Sequence, residues 1–152
     1  MSVNHYIVTY DFDDYMITLS DLEKYDASGM YKIYDQWPQI ARESYESNYD
    51  DVKFDGIDHI VFVGVGGSGA IGDLFSSILS KSNIHVTLVK GYLLPKTIDK
   101  NTLVIVTSVS GNSVEPLTVL ESSMKLNCSL IAFSSGGKME EFCKKNQINF
   151  RK

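Results

Sequence analysis

The sequence predicts a doubly wound α/β fold, a three-layer αβα sandwich around a five-stranded parallel sheet, preceded by an acidic helical segment. Three observations predict it. From His59 onward, short β-branched runs without polar alternation take turns with stretches of helical length, the pattern of strands buried on both faces and joined by crossover helices. The segments that follow the first and third of these runs are rich in glycine and serine, where such sheets place ligands. Finally, 152 residues with 43% hydrophobic and 22% charged side chains make one ordinary soluble domain, long enough to bury a core without disulfides or metals.

The chain changes character near Gly56, so residues 1–55 are read as an N-terminal helical segment packing on the sheet and residues 56–152 as the ligand-binding domain. In the first part, the stretch from about Met30 to Tyr49 places Ile33, Trp37, Ile40 and Tyr45 at roughly helical spacing, which predicts one helix. Pro38 opposes a continuous helix because it removes a hydrogen bond and crowds the preceding turn, so two shorter helices are the alternative. In the second part, strands are expected at about 59–64, 84–89, 103–108, 129–134 and 148–150. SGAIGDLFSSILS, SVEPLTVLESSMKL and KMEEFCKKN have the length and period of the helices between them. Trp37, Phe75 and Phe133 are expected in the core.

Charge and composition exclude several classes of function. The net charge is −5, contrary to the phosphate attraction on which nucleic-acid binders rely. Residues 1–58 hold 13 acidic and 4 basic side chains, and residues 59–152 hold 6 and 10, so the ligand is expected in the mildly basic second part. Cys128 and Cys143 form no metal-binding pattern, and no metal or cofactor is expected. The first residues lack the features of an export signal, and no apolar run has membrane-spanning length, so a cytoplasmic protein without nucleic-acid or membrane contacts is expected. His5 falls in the leading tail, while His59 and His85 fall on predicted strands; all three are read as structural or solvated.

The first ligand loop is Gly64-Val65-Gly66-Gly67-Ser68-Gly69, directly after the first strand. Glycines let a backbone approach an anion closely, and the next helix offers free N–H groups and the positive end of its dipole. Ser68 could cap that helix or bond the anion, and Asp73 is expected to favour the dipole in its first turn. The loop also satisfies the dinucleotide pattern GxGxxG. That reading asks for an acidic residue after the second strand, where Lys90 stands, so a nicotinamide-binding domain is a weaker alternative. The second loop is Ser108-Val109-Ser110-Gly111-Asn112-Ser113, directly after the third strand, with Pro116 in the first helical turn that follows. Its hydroxyls and amides could surround a phosphate without any cation. Simple capping by Asn112 or Ser113, with Glu115 reaching back, explains only one or two of them. Two such loops at one sheet edge make a single phosphate pocket the economical reading.

Taken together, GxGGS with the following Ala-Ile-Gly-Asp, the Ser-x-Ser-Gly-Asn-Ser loop and Ser134-Ser135-Gly136-Gly137-Lys138 resemble the successive loops of the bifunctional phosphoglucose/phosphomannose isomerases. Tyr25-Asp26-Ala27-Ser28-Gly29-Met30 and Tyr92-Leu93-Leu94-Pro95 agree with the resemblance, which runs from about Tyr25 to Lys138. It implies an N-terminal SIS (sugar isomerase) domain of flavodoxin-like fold that binds a hexose 6-phosphate. By matching motif, it places the phosphate on Gly66, Gly67, Ser68, Ser108, Ser110 and Ser113. Val109, where an aromatic is common, and Pro116, where an acidic or polar residue is common, mark a divergent member.

The resemblance implies an aldose–ketose isomerase acting on glucose 6-phosphate and mannose 6-phosphate through an enediol. Its glutamate, histidine, lysine and arginine lie further along than this sequence runs. The chain is therefore read as a fragment, a separately expressed domain or one half of a split enzyme, with the catalytic residues outside this sequence. Glu115 is the one candidate base at the pocket and is read as a helix cap. A sugar-phosphate-sensing module is the alternative function. A homodimer, or pairing with a second SIS half, is expected.

Overall fold

The computed structural model describes residues 18–47 and 51–152, and the chain divides into two units, Met1–Asp50 and Asp51–Lys152. His5 and the last residues of the helix predicted to reach Tyr49 lie outside the described residues.

In the first unit, helix α1 spans Leu19–Tyr25. It forms because Thr18 and Asp21 cap one another: Asp21 N–H donates to the Thr18 hydroxyl, and Thr18 N–H donates to the Asp21 carboxylate at 2.9 Å. Helix α2 runs without a break through Pro38, from Met30 to Glu46, so one helix forms rather than two. Its N-terminus receives Asp26, whose carboxylate accepts the Tyr31 N–H at 2.9 Å and is held below the usual carboxylate range chiefly by that bond. Trp37, expected in the core, is 57% exposed and makes an edge-to-face contact with Tyr34, ring centroids 4.6 Å apart. Neither α1 nor α2 has a buried residue.

The second unit holds the sheet. Its elements are β1 (His59–Val63), α3 (Gly67–Leu79), β2 (His85–Val89), β3 (Thr102–Thr107), α4 (Val114–Ser123), β4 (Ser129–Phe133), α5 (Gly137–Asn146) and β5 (Asn149–Arg151). All strand pairs are parallel and the order is β2-β1-β3-β4-β5, the flavodoxin-like winding. Every predicted strand is present, with ends displaced by a residue or so.

Alternate residues of each strand face opposite sides of the sheet. On one side Val61, Val63, Val104, Val106 and Ala132 pack against Val119 and Leu120 of α4 and Met139 and Cys143 of α5, and all of these are buried. On the other side α3 packs so closely that a Cβ at Gly72 would lie 2.9 Å from Phe62 Cβ. Phe62 and Phe75 stack there with ring centroids 5.4 Å apart. Beyond α3 this face opens into an apolar groove of about 490 Å³, lined among others by Ile60, Phe62, Phe75, Ile105 and Phe133. Phe75 and Phe133 are therefore exposed rather than core residues, Phe133 by 39%. One helix cannot span a face made of several strands.

Candidate functional site

The winding reverses between β1 and β3, which lie side by side with Val63 opposite Val106. Their following segments enter α3 on one face and α4 on the other, so a crevice opens at their carboxyl ends. Both predicted loops border it.

Gly66 is the N-cap of α3, with Gly67 and Ser68 as the first helical residues, and no side chain caps this terminus. Ser68 is therefore not the cap; its hydroxyl oxygen accepts the Val109 N–H at 3.4 Å and joins the two loops. Ser108 is 2% exposed and donates its hydroxyl to Ser113 Oγ at 3.4 Å. Ser110 Oγ accepts the Asn112 N–H at 3.3 Å. The structure thus links Ser68 to the second loop and Ser108 to Ser113, while Gly66, Gly67 and Ser110 take their places on the same two loops.

Ser113 is the N-cap of α4 by backbone position, yet its side chain makes no capping bond. The expected cap by Asn112 or Ser113 with Glu115 reaching back is absent for a geometric reason. A reciprocal cap needs its acid at the third helical position, which is Pro116, and Glu115 is at the second. Asn112 is occupied elsewhere: its Oδ1 accepts the Lys138 N–H at 3.2 Å and its Nδ2 donates to Ser110 O at 3.0 Å. Two helix N-termini therefore face the crevice with no side chain satisfying their first turns.

The third loop, 134–138, buttresses the second. Ser135 donates to Val109 O from both its N–H, at 3.0 Å, and its hydroxyl, at 2.5 Å. Met139 N–H donates to Gly111 O at 3.0 Å. Gly111 has φ of +65°, and a Cβ there would collide with the Gly136 carbonyl oxygen, so the fit admits only glycine. None of these bracing residues was among the residues predicted to hold the phosphate. Their signal is topological: the loop follows β4, the strand beside β3.

Lys90 was also not predicted as part of the site. It follows β2 and reaches over Gly69 to Asp73, Nζ to Oδ2 2.7 Å. Asp73 lies in the second turn of α3, so it pairs with a cation rather than favouring the dipole from the first turn. His59 and His85 begin their strands and stand at the opposite edge of the sheet. Burial pushes the Cys143 thiol up to about 11 and raises Cys128 as well, so neither thiol is activated. Among the described residues, no group of three or more His, Cys, Asp or Glu is placed to hold a metal ion, and no helix is long and apolar enough to cross a membrane. What converges on the crevice is a set of neutral N–H and O–H donors, suited to an anion with several oxygens.

No family model matches the chain. The bifunctional phosphoglucose/phosphomannose isomerase of Caldicellulosiruptor bescii is 35% identical over 113 residues, which are 72% of this chain and 33% of that protein. The protein of the same name from Thermoplasma acidophilum is 37% identical over 98 residues, 60% of this chain and 31% of its own. The chain thus spans about a third of the length of the curated relatives it matches. A solved structure from Bacillus subtilis, titled as a candidate phosphosugar isomerase, is 26% identical with a TM-score of 0.50, covering 58% of this chain and 29% of that one. In sequence the chain is homologous to the bifunctional phosphoglucose/phosphomannose isomerases over about a third of their length, and in fold its sheet is that of a SIS (sugar isomerase) domain.

Proposed function

We propose that Gly66, Gly67, Ser68, Ser108, Ser110 and Ser113 bind the phosphate of a hexose 6-phosphate, and that the chain is the N-terminal half of a glucose-6-phosphate/mannose-6-phosphate isomerase. The observation that carries this reading is the pair of uncapped helix N-termini, α3 and α4, facing one crevice from adjacent strands. A phosphate dianion supplies the acceptors that both first turns lack, and the serine hydroxyls orient around it.

In the parent reaction a proton leaves C2 of the sugar and returns at C1 through an enediol. The phosphate grip fixes the sugar so that a base and an acid meet those carbons, the positioning share of catalysis. Those proton-transfer groups would come from a second SIS half. Glu115 is poorly suited as the base, because a carboxylate beside a bound phosphate is repelled.

Calorimetric titration of the chain with fructose 6-phosphate tests the grip. Saturable binding is expected, competed by inorganic phosphate and weakened about tenfold by Ser110→Ala, the effect of losing one hydrogen bond to a charged group. A wild-type chain that shows no saturable binding overturns the reading for this chain. Sedimentation at rising concentration tests the pairing, with a dimer as the expected species.

A further inference from the structure

The amino edge of the sheet, opposite the loops, carries a second polar cluster. His59 opens β1 and is 6% exposed; His85 opens β2 beside it in register, with ring centroids 4.8 Å apart. Thr87 Oγ lies 2.9 Å from His59 Nε2 and 3.3 Å from His85 Nε2. On the other side of the ring, His59 Nδ1 lies 3.3 Å from Thr102 Oγ on β3, and that hydroxyl is 3.0 Å from Asp99 Oδ1. Asp99 N–H donates to Thr102 Oγ at 3.0 Å, and Asn101 N–H donates to Asp99 Oδ1 at 3.0 Å.

Counting hydrogens fixes the direction of every bond. An ionised carboxylate only accepts, so Thr102 gives its single hydroxyl hydrogen to Asp99. The Thr102 oxygen can then only accept from His59, which puts the His59 hydrogen on Nδ1. A neutral ring so protonated has a bare Nε2, and that nitrogen receives the Thr87 hydrogen. The Thr87 oxygen in turn accepts from His85 Nε2.

We infer that His85, Thr87, His59, Thr102 and Asp99 form a one-way hydrogen-bond chain across β2, β1 and β3, an acid-sensitive clasp that fastens the connection 95–101 to the sheet. A proton added at His59 Nε2 would point at the Thr87 hydrogen, so the threonine must turn away and lose its acceptor. The Nδ1–H bond to Thr102 survives, so the acid sensitivity of the connection comes from charging a ring that is 6% exposed while the clasp is fastened and reaches water when it opens. The groups facing His59 are His85, Asp99 and Asp58, the last of which accepts from Asn101 Nδ2 at 3.3 Å. Burial, then the neighbouring His85, lower the His59 pKa, and Asp99, Asp58 and the backbone of Thr97 oppose them less strongly. The clasp is therefore closed near neutrality and opens as the pH falls.

Long-range proton–nitrogen NMR of the full chain reads the two tautomers directly. At pH 7.5 His59 is expected with its hydrogen on Nδ1 and His85 with its hydrogen on Nε2. Protection of the Asp99 and Asn101 amides, corrected for intrinsic exchange, is expected to fall by roughly tenfold per pH unit below the ordinary histidine value until His59 itself titrates. In Thr102→Val, which keeps the shape and removes the hydroxyl, the Nδ1 preference and the Asp99 protection are both lost. A His59 hydrogen on Nε2 in the wild type, or amide protection indifferent to His59 titration, overturns the clasp; these wild-type readings decide even if the variant does not fold.

Discussion

Helices α4 and α5 bury the centre of one face of the sheet, down to Leu120, Met139 and Cys143, whereas α3 leaves Ile105 and Phe133 of the other face along a groove. Both faces carry apolar residues of the same kinds. The difference is in what covers them: two helices cross back over β3, β4 and β5 on one side, and a single helix over β1 and β2 on the other. Side-chain type tells which residues could be core, and topology tells which are. The ligand loops repeat the contrast. The second is tied to the third by Ser135, Lys138 and Met139, while between the first loop and the second the Ser68 bond at 3.4 Å is the link.

The largest effect is expected on the sealed face. Leu120→Ala should cost about 3 kcal/mol in urea denaturation, since the lost transfer energy is joined by a cavity that close-packed neighbours cannot fill. A cost under about 1 kcal/mol would mean that the face is looser than its burial implies. Next comes the braced loop. Gly111→Ala must hold a Cβ against the Gly136 carbonyl at positive φ, so it should cost about 2 kcal/mol and abolish fructose 6-phosphate binding by displacing Ser110 and Ser113. Ser68→Ala, in the less braced loop, should leave stability within about 0.5 kcal/mol and weaken binding only. If Gly111→Ala binds normally, the brace is not what shapes the pocket.

A smaller effect is expected from pH. His59 shares its side of β1 with Val61 and Val63, and its folded-state pKa lies below the ordinary value of 6.5. The unfolded chain therefore takes up a proton at a higher pH than the folded one. The stability that neutral His59 contributes is complete above about pH 6.5 and is lost as the pH falls from there toward the folded-state pKa. Denaturation midpoints measured from pH 7.5 to 5 should fall over that window, and the slope should vanish in His59→Gln.

The sheet and the chemistry of its loops could be read from sequence because each rests on local information. The β-branched runs of HIVFV and TLVIVT set strands, and glycines and serines set the turns into α3 and α4. Helix α1 was not expected, although Thr18-x-x-Asp21 is the signal of its capping box; an acid one carbon shorter than glutamate weakens the pattern. The bracing by Ser135 and Met139, the Lys90–Asp73 pair and the exposure of Phe75 and Phe133 depend on which strands become neighbours. No window of sequence contains that.

An effect well below those on the sealed face and the braced loop, and the most informative about the open face, is that of Phe133→Ala. A phenylalanine sealed in a core costs about 3–5 kcal/mol when truncated. Phe133 keeps 39% of its surface exposed, so the area returned to water is a fraction of that and the cavity term vanishes, because the groove is already open. The expected cost is about 1 kcal/mol, with binding of fructose 6-phosphate unchanged, since the Phe133 side chain lines the apolar groove and is not one of the proposed anion donors. A cost near that of Leu120→Ala would mean that Phe133 is covered in solution. Repeating the measurement across protein concentrations then identifies the cover: a cost that grows with concentration comes from a second molecule, and one that does not comes from the chain itself.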